Sequence, residues 1–297
     1  MNYPCQDCSQ CLEAPAKVNL TLDILGKRTD GYHELATVMH QINLVDRINL
    51  KRGGTELRVS SNSALIPVDE ENLAYKAAQL IFEKFAVREG LQIYIEKNIP
   101  VGAGLAGGST DAATVLYGIN HLFGLGMGLE TLLDLGARIG SDVPFCLLGG
   151  TALACGRGEI LTPLTEGPPL HMVLVKPDFQ ISTREVYQAF RLEKVNKSPD
   201  NPAFLAAWRN YDIINVAQEM NNVLETVSIE EHPEIALIKQ QLLASGALNA
   251  LMSGSGPTVF GLYASLEEAG RSFKNMQDQY KEAFLVSSYR RSERHDG

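Results

Sequence analysis

The chain has 297 residues, 45% of them apolar and 21% charged, with a formal net charge of −9. That length suits two sub-domains better than one core, and the mix is that of an ordinary globular protein rather than a disordered or fibrous one. No run approaches the roughly 18 apolar residues of a membrane span, no basic start leads into an apolar leader, and the acidity argues against a nucleic-acid partner. The expectation is a soluble, cytoplasmic chain with no membrane and no nucleic-acid partner. A phosphate ligand stays open, because a local cluster of lysine and glycine-loop amides can hold one on an acidic protein.

Five cysteines are present, three of them spaced as Cys5, Cys8 and Cys11. A zinc or iron–sulfur site would need a fourth ligand, and the first histidine is His33. Residues 1–12 are therefore expected to be a terminal tail with incidental thiols. From Ala16 to Ile24 apolar residues alternate with Lys17, Asn19, Thr21 and Asp23. This predicts a half-buried strand with Lys17 and Asn19 on one face. A turn follows at Asp30-Gly31, then β patterning over 35–50, a helical stripe over 72–86 and an alternating strand over 91–96. The glycine-rich segment Pro100–Ser109 comes next and opens a helix through Phe123, and a second helix spans 129–139.

Residues 145–155 read as an apolar strand or hairpin, and a composition shift near 156–168 predicts a boundary between sub-domains at 13–160 and 161–297. Beyond it the patterning predicts a strand over 171–176, a helix over 183–190, a surface loop over 192–202, and helices over 211–226, 233–244 and 266–282. Strands at 248–252 and 258–263 flank the turn Ser253-Gly-Ser-Gly-Pro257, and a last strand starts at Phe284.

Glycines at 102, 104, 107 and 108, followed by Ser109 and Thr110, lie between a strand and a helix. Amides without a neighbouring Cβ can approach phosphate oxygens, and a helix N-terminus favours an anion. The same spacing also fits a dinucleotide fingerprint. The alternating strand before it, however, suits an antiparallel sheet with one covered face rather than a doubly covered parallel one. A tight turn without ligand is the plain alternative. Asp142, after a helix end and before Pro144, reads on its own as a turn aspartate, and the turn at 253–257 as a hairpin turn.

Together and in this order, the segments Ala14-Pro-Ala-Lys-Val-Asn-Leu20, Asp30-Gly-Tyr-His-Glu34, Pro100–Ser109, Gly140-Ser-Asp-Val-Pro-Phe-Cys146 and Leu251–Thr258 resemble the GHMP kinase superfamily. The Gly-Tyr-His-Glu segment resembles the branch acting on a cytidine-diphosphate-linked methylerythritol in the non-mevalonate isoprenoid route. The resemblance implies an α+β fold of two sub-domains, with largely antiparallel sheets, helices and a cleft between them. It implies ATP and Mg²⁺ as cofactors, a small-molecule partner, and a monomer or homodimer. Asp142 would be the general base, with Lys17 beside it, and Asn19 would hold substrate or base. Pro100, Gly102, Ala103, Gly104, Leu105, Ala106, Gly107, Gly108, Ser109 and Thr110 would wrap the ATP phosphates, with Ser109 the candidate magnesium ligand and Asn72 on the adenine. Tyr32 and Tyr187 would sandwich the cytosine, His33 would read its edge, and Thr183 would support the substrate. Tyr187 as plain helix packing and His33 as a turn residue are the alternatives. Ala106 stands where many relatives have glycine, and its methyl is tolerable at an ordinary φ. The competing functions are a paralogous kinase for another alcohol, a non-catalytic nucleotide binder on the same scaffold, and an NAD-binding oxidoreductase.

Overall fold

The computed structural model describes residues 9–290, so Cys5 and Cys8 lie outside the described residues. Two long strands, β1 (Ser9–Lys27) and β2 (His33–Arg52), pair antiparallel along their whole length through the Asp30-Gly31 turn. Residues 9–12 pair with 48–51, so the ordered strand starts inside the segment expected to be a tail. Next come β3 (Leu57–Ser61), α1 (Leu73–Phe85) and β4 (Leu91–Glu96), then α2 (Gly107–Leu122), α3 (Leu129–Ile139) and α4 (Val143–Leu148). Strands β5 (Thr151–Gly156) and β6 (Ile160–Pro163) close this half. β4 pairs with the 47–52 end of β2 and β5 with its 35–40 end, so one long strand carries both.

The second half holds β7 (His171–Lys176), α5 (Thr183–Ala189), α6 (Asn201–Arg209), α7 (Ile213–Glu219), β8 (Asn221–Asn222), α8 (Glu225–Glu231) and α9 (Glu234–Ala244). It ends with β9 (Asn249–Met252), β10 (Val259–Tyr263), α10 (Leu266–Gln277) and β11 (Glu282–Ser287). Its sheet is antiparallel in the order β11-β7-β10-β9, while β8 adds in parallel to β1 of the first sheet. The α+β architecture is therefore as expected. The boundary drawn at residue 160 falls inside β6, which pairs with β5 of the first sheet.

Three local expectations are corrected. Residues 143–148 form α4 before β5 begins, because Pro144 sits in its first turn, where a missing N–H costs nothing. The helix drawn over 211–226 is broken at Met220 so that Asn221–Asn222 can pair with β1. The loop drawn over 192–202 is cut short at Asn201 by α6, whose first turn is capped by Asp200 accepting from Ala203 N–H at 2.9 Å, with Pro202 inside it. The half-buried reading of β1 also fails. Lys17, Asn19, Thr21 and Asp23 are as buried as the apolar residues between them. Thr21 and Asp23 are covered by Asn201 and Ser198 of the second half, while Lys17 and Asn19 face the cleft between the halves, so β1 is the strand on which the two halves meet.

Among the described residues no helix is long and apolar enough to cross a membrane, and no group of three or more His, Cys, Asp or Glu side chains is arranged to hold a metal. Cys11 lies in β1, Cys155 in β5 and Cys146 in α4, and all three are free thiols.

Candidate active site

A cleft of about 1340 Å³ lies between the two halves. That exceeds the roughly 300–1,000 Å³ of a single small-ligand pocket and leaves room for two substrates. Every residue assigned to the site from sequence lines it except Thr110. Thr110 is fully buried on α2, and its hydroxyl has no hydrogen-bond partner among the described residues. As the fourth residue of a helix that begins at Gly107, it turns inward while Ser109 stays at the surface of the cleft.

Lys17 is at the centre. Its ammonium donates to Asn19 Oδ1 at 2.6 Å and lies 3.5 Å from Asp142 Oδ2. The amide of Asn19 is itself fixed, since its Nδ2 donates to Thr37 Oγ1 at 2.8 Å and Thr37 Oγ1 donates to the carbonyl of Thr21. Asp142 occupies the N-cap position of α4 but makes no capping bond, so its carboxylate remains available to the cleft. Gly254 borders the same group, since a Cβ on it would lie 3.7 Å from Lys17 Nζ and 3.4 Å from Asn19 Oδ1.

The glycine loop is held from both sides. Lys17 N–H donates to the Leu105 carbonyl at 3.1 Å, and Ser253 Oγ donates to the Gly104 carbonyl at 3.0 Å. Ala103 and Leu105 are buried in the core under the loop, which leaves its backbone on the cleft side. Gly102, Gly104 and Ala106 have φ of +66°, +74° and +57°. Ala106 therefore does not have the ordinary φ under which its methyl was expected to be harmless. A left-handed alanine costs about 1–2 kcal/mol, a strain of the kind that concentrates at functional sites.

Sequence reading missed a buried trio behind this loop. Lys97, at the end of β4, donates to Asp46 and, at 3.0 Å, to Asp111 Oδ2. A Cβ on Gly107 would lie 3.0 Å from its ammonium, so Lys97 stands at the head of α2. Asp46 is fully satisfied, since Oδ1 also accepts from Asn98 N–H and Ile99 N–H. Asp111 Oδ1 has no partner among the described residues. Burial, with help from Asp46 and against Lys97, raises the Asp111 pKa to about 8. Lys97 moves upward too, as the two carboxylates outweigh its burial. The available signal was a lysine just before Pro100 and an aspartate just after Thr110.

Asn72 lines the cleft, but both ends of its amide have protein partners. Oδ1 caps α1 through Ala74 N–H at 2.8 Å, and Nδ2 donates to the Pro67 carbonyl at 2.6 Å. At the far end, His33 and Tyr187 lie with ring centroids 5.6 Å apart and planes tilted by 34°. Tyr32 also lines the cleft and is exposed, with the Arg157 guanidinium 5.1 Å from its ring centre. Burial, and then Lys27, lower the His33 pKa, so at neutral pH its ring offers one donor and one acceptor nitrogen. Thr183, at the start of α5, is hydrogen-bonded to Ser255 at 2.8 Å, which ties that helix to the glycine turn beside Lys17.

A fixed lysine–aspartate pair beside a strained glycine loop, with an aromatic slot further along, is the arrangement of a small-molecule kinase cleft. Comparison with known proteins agrees. Residues 72–150 match the GHMP kinases N terminal domain and residues 204–282 the GHMP kinases C terminal. A 4-diphosphocytidyl-2-C-methyl-D-erythritol kinase of Syntrophomonas wolfei subsp. wolfei is 60% identical over 278 residues, covering 94% of this chain and 98% of that protein. A crystal structure of 4-(cytidine 5'-diphospho)-2C-methyl-D-erythritol kinase is 35% identical, with a TM-score of 0.82 over 94% of this chain and 100% of that one. A homoserine kinase structure from Cytophaga hutchinsonii, at 20% identity, 97% coverage of both chains and a TM-score of 0.76, shares the fold. The chain belongs to the GHMP kinases and, within them, to the 4-diphosphocytidyl-2-C-methyl-D-erythritol kinase family. It is an ATP-dependent kinase of small molecules.

Proposed function

We propose that this chain transfers the γ-phosphoryl group of ATP to the 2-hydroxyl of 4-diphosphocytidyl-2-C-methyl-D-erythritol, giving the 2-phosphate and ADP. The observation that carries this reading is the Lys17 ammonium lying between Asn19 Oδ1 and the uncapped Asp142 carboxylate, next to the glycine loop. Phosphoryl transfer depends on in-line positioning and neutralised charge more than on covalent chemistry. In this reading Asp142 accepts the hydroxyl proton, Lys17 balances charge on the transferring group, and Asn19 keeps Lys17 in register. The amides of residues 102–109 hold the ATP phosphates.

The Ser109 hydroxyl on the cleft wall and the unpartnered Asp111 Oδ1 behind it are oxygens of the kind a hard divalent cation takes, so the residues fit Mg²⁺. Ser109 would hold it, and the ion would neutralise phosphate charge. At the other end, Tyr32 and Tyr187 offer faces for the cytosine, and a neutral His33 can pair with its edge. Stacking supplies about 1–3 kcal/mol per base. An unpaired buried edge group on the wrong base costs about as much.

The test is ADP release coupled to a spectroscopic readout, with the cytidylyl substrate set against homoserine, mevalonate and galactose. Turnover of the cytidylyl compound alone is expected. Turnover of a sibling's alcohol without it would overturn the assignment.

A further inference from the structure

Resting on the base slot just proposed, we infer that Arg184 and Arg157, one from each half of the chain, grip the diphosphate of the cytidylyl substrate. A substrate with its base on Tyr187 and its hydroxyl at Asp142 must run its diphosphate along the stretch between them. The first turn of α5 borders that stretch. Thr183, bonded to Ser255, marks its catalytic end, and Tyr187, one turn on, marks its base end.

Arg184 follows Thr183 and shares a helix face with Tyr187 at a spacing of three. Helical side chains lean toward the N-terminus, which carries Arg184 toward Thr183. Arg184 is exposed, lines the cleft and has no hydrogen-bond or ion-pair partner among the described residues. Arg157, in the turn after β5, lines the cleft from the first half. Its guanidinium lies 5.1 Å from the Tyr32 ring centre, and its Nε is 3.7 Å from Glu159 Oε1, an ion pair without a side-chain hydrogen bond. The terminal N–H edge is left for an anion, and a planar fork matches phosphate oxygens two at a time.

The other arginines nearby are committed elsewhere. Arg28 is bonded to Asp30 and Glu34, and Arg191 donates to the Gln188 and Phe190 carbonyls at the end of α5. On a chain with net charge −9, one unpaired arginine and one only loosely paired in the same cleft mark where an anion belongs.

The experiment compares cytidine with cytidine 5'-diphosphate as ligands, by calorimetry at fixed low salt, for the wild-type chain, Arg184→Ala and Arg157→Met. The wild type is expected to prefer the diphosphate. Each substitution is expected to cut that preference by about tenfold, as loss of a charge-assisted hydrogen bond does. In Arg184→Ala, cytidine affinity stays and the KM for the cytidylyl substrate rises while the KM for ATP holds. An unchanged preference in both variants would overturn the grip. A wild type that binds the diphosphate no better than cytidine would overturn it too, leaving the base slot standing. A wild type that binds neither would remove the base slot itself.

Discussion

Asp142 can act on a substrate because it does not do what its position suggests. A side chain at an N-cap ordinarily accepts from the first turn of the helix, which takes up its oxygens. Here that bond is absent and the carboxylate lies 3.5 Å from Lys17. Asp142→Asn keeps the shape and removes the proposed proton acceptor, so kcat is expected to fall by about 10²–10⁴. Lys17→Ala removes the charge proposed to balance the transferring group, with an expected loss of comparable size. Steady-state kinetics checks both, with circular dichroism to verify the fold. Near-normal kcat in a folded variant would take that residue out of the mechanism. Lys17, Asn19 and Asp142 were visible in the sequence because their motifs are short and local. Lys97 and Asp111 were not, since a lysine at a strand end and an aspartate inside a helix become a pair only when the two elements pack.

Between elements, the site depends on a clasp. The glycine loop and the 253–257 turn touch through Gly104, where a Cβ would stand 2.3 Å from the Ser253 carbonyl oxygen. Its φ of +74° adds strain for any side chain. Gly104→Ala is expected to destabilise the protein by about 1–3 kcal/mol, the range for overpacking, and to raise the KM for ATP more than it lowers kcat. Urea unfolding and ATP titration measure the two effects. An alanine variant with unchanged stability and KM would mean the clasp is dispensable. Most elements were legible from periodicity, and the exceptions share a cause. The polar face of β1 looked solvent-facing because alternation reports only which residues are polar. Part of it lines the cleft, and the cover over Thr21 and Asp23 comes from Asn201 and Ser198, far along the chain. The break at Met220 is likewise set by the pairing of Asn221–Asn222 with β1, a tertiary demand that overrides helical patterning. α6 is different, because the Asp200 cap and Pro202 were present in the sequence and were outweighed by the polar stretch before them.

Over the whole molecule, His40 pins the halves together. On β2, its Nδ1 pairs with Thr151 Oγ1 at 2.7 Å and its Nε2 with Ser288 Oγ at 3.0 Å, and Trp208 meets its ring edge-on. Burial lowers its pKa to about 4. The unfolded chain takes up a proton below about pH 6.5 that the folded one refuses until about pH 4. Stability should therefore fall as the pH drops through that window, by up to about 3 kcal/mol. His33, also lowered, adds in the same sense. Urea unfolding between pH 4.5 and 7.5 is expected to show a shallower slope for His40→Gln than for the wild type, and equal slopes would rule His40 out as the source.

β1 has a larger consequence. Leu12 and Ala14 belong to one hydrophobic cluster, Ala16, Val18 and Leu20 to a second with Leu174 and Phe204, and Leu22 and Ile24 to a third with Val175 and Ile238. On the ribosome this strand is made long before Phe204 or Ile238 exists. Its later apolar residues must wait, uncovered, for the far end of the chain. The first half is therefore not a unit that can finish folding during synthesis, and two fragments cut at residue 160 would each carry an open face that only the other can close.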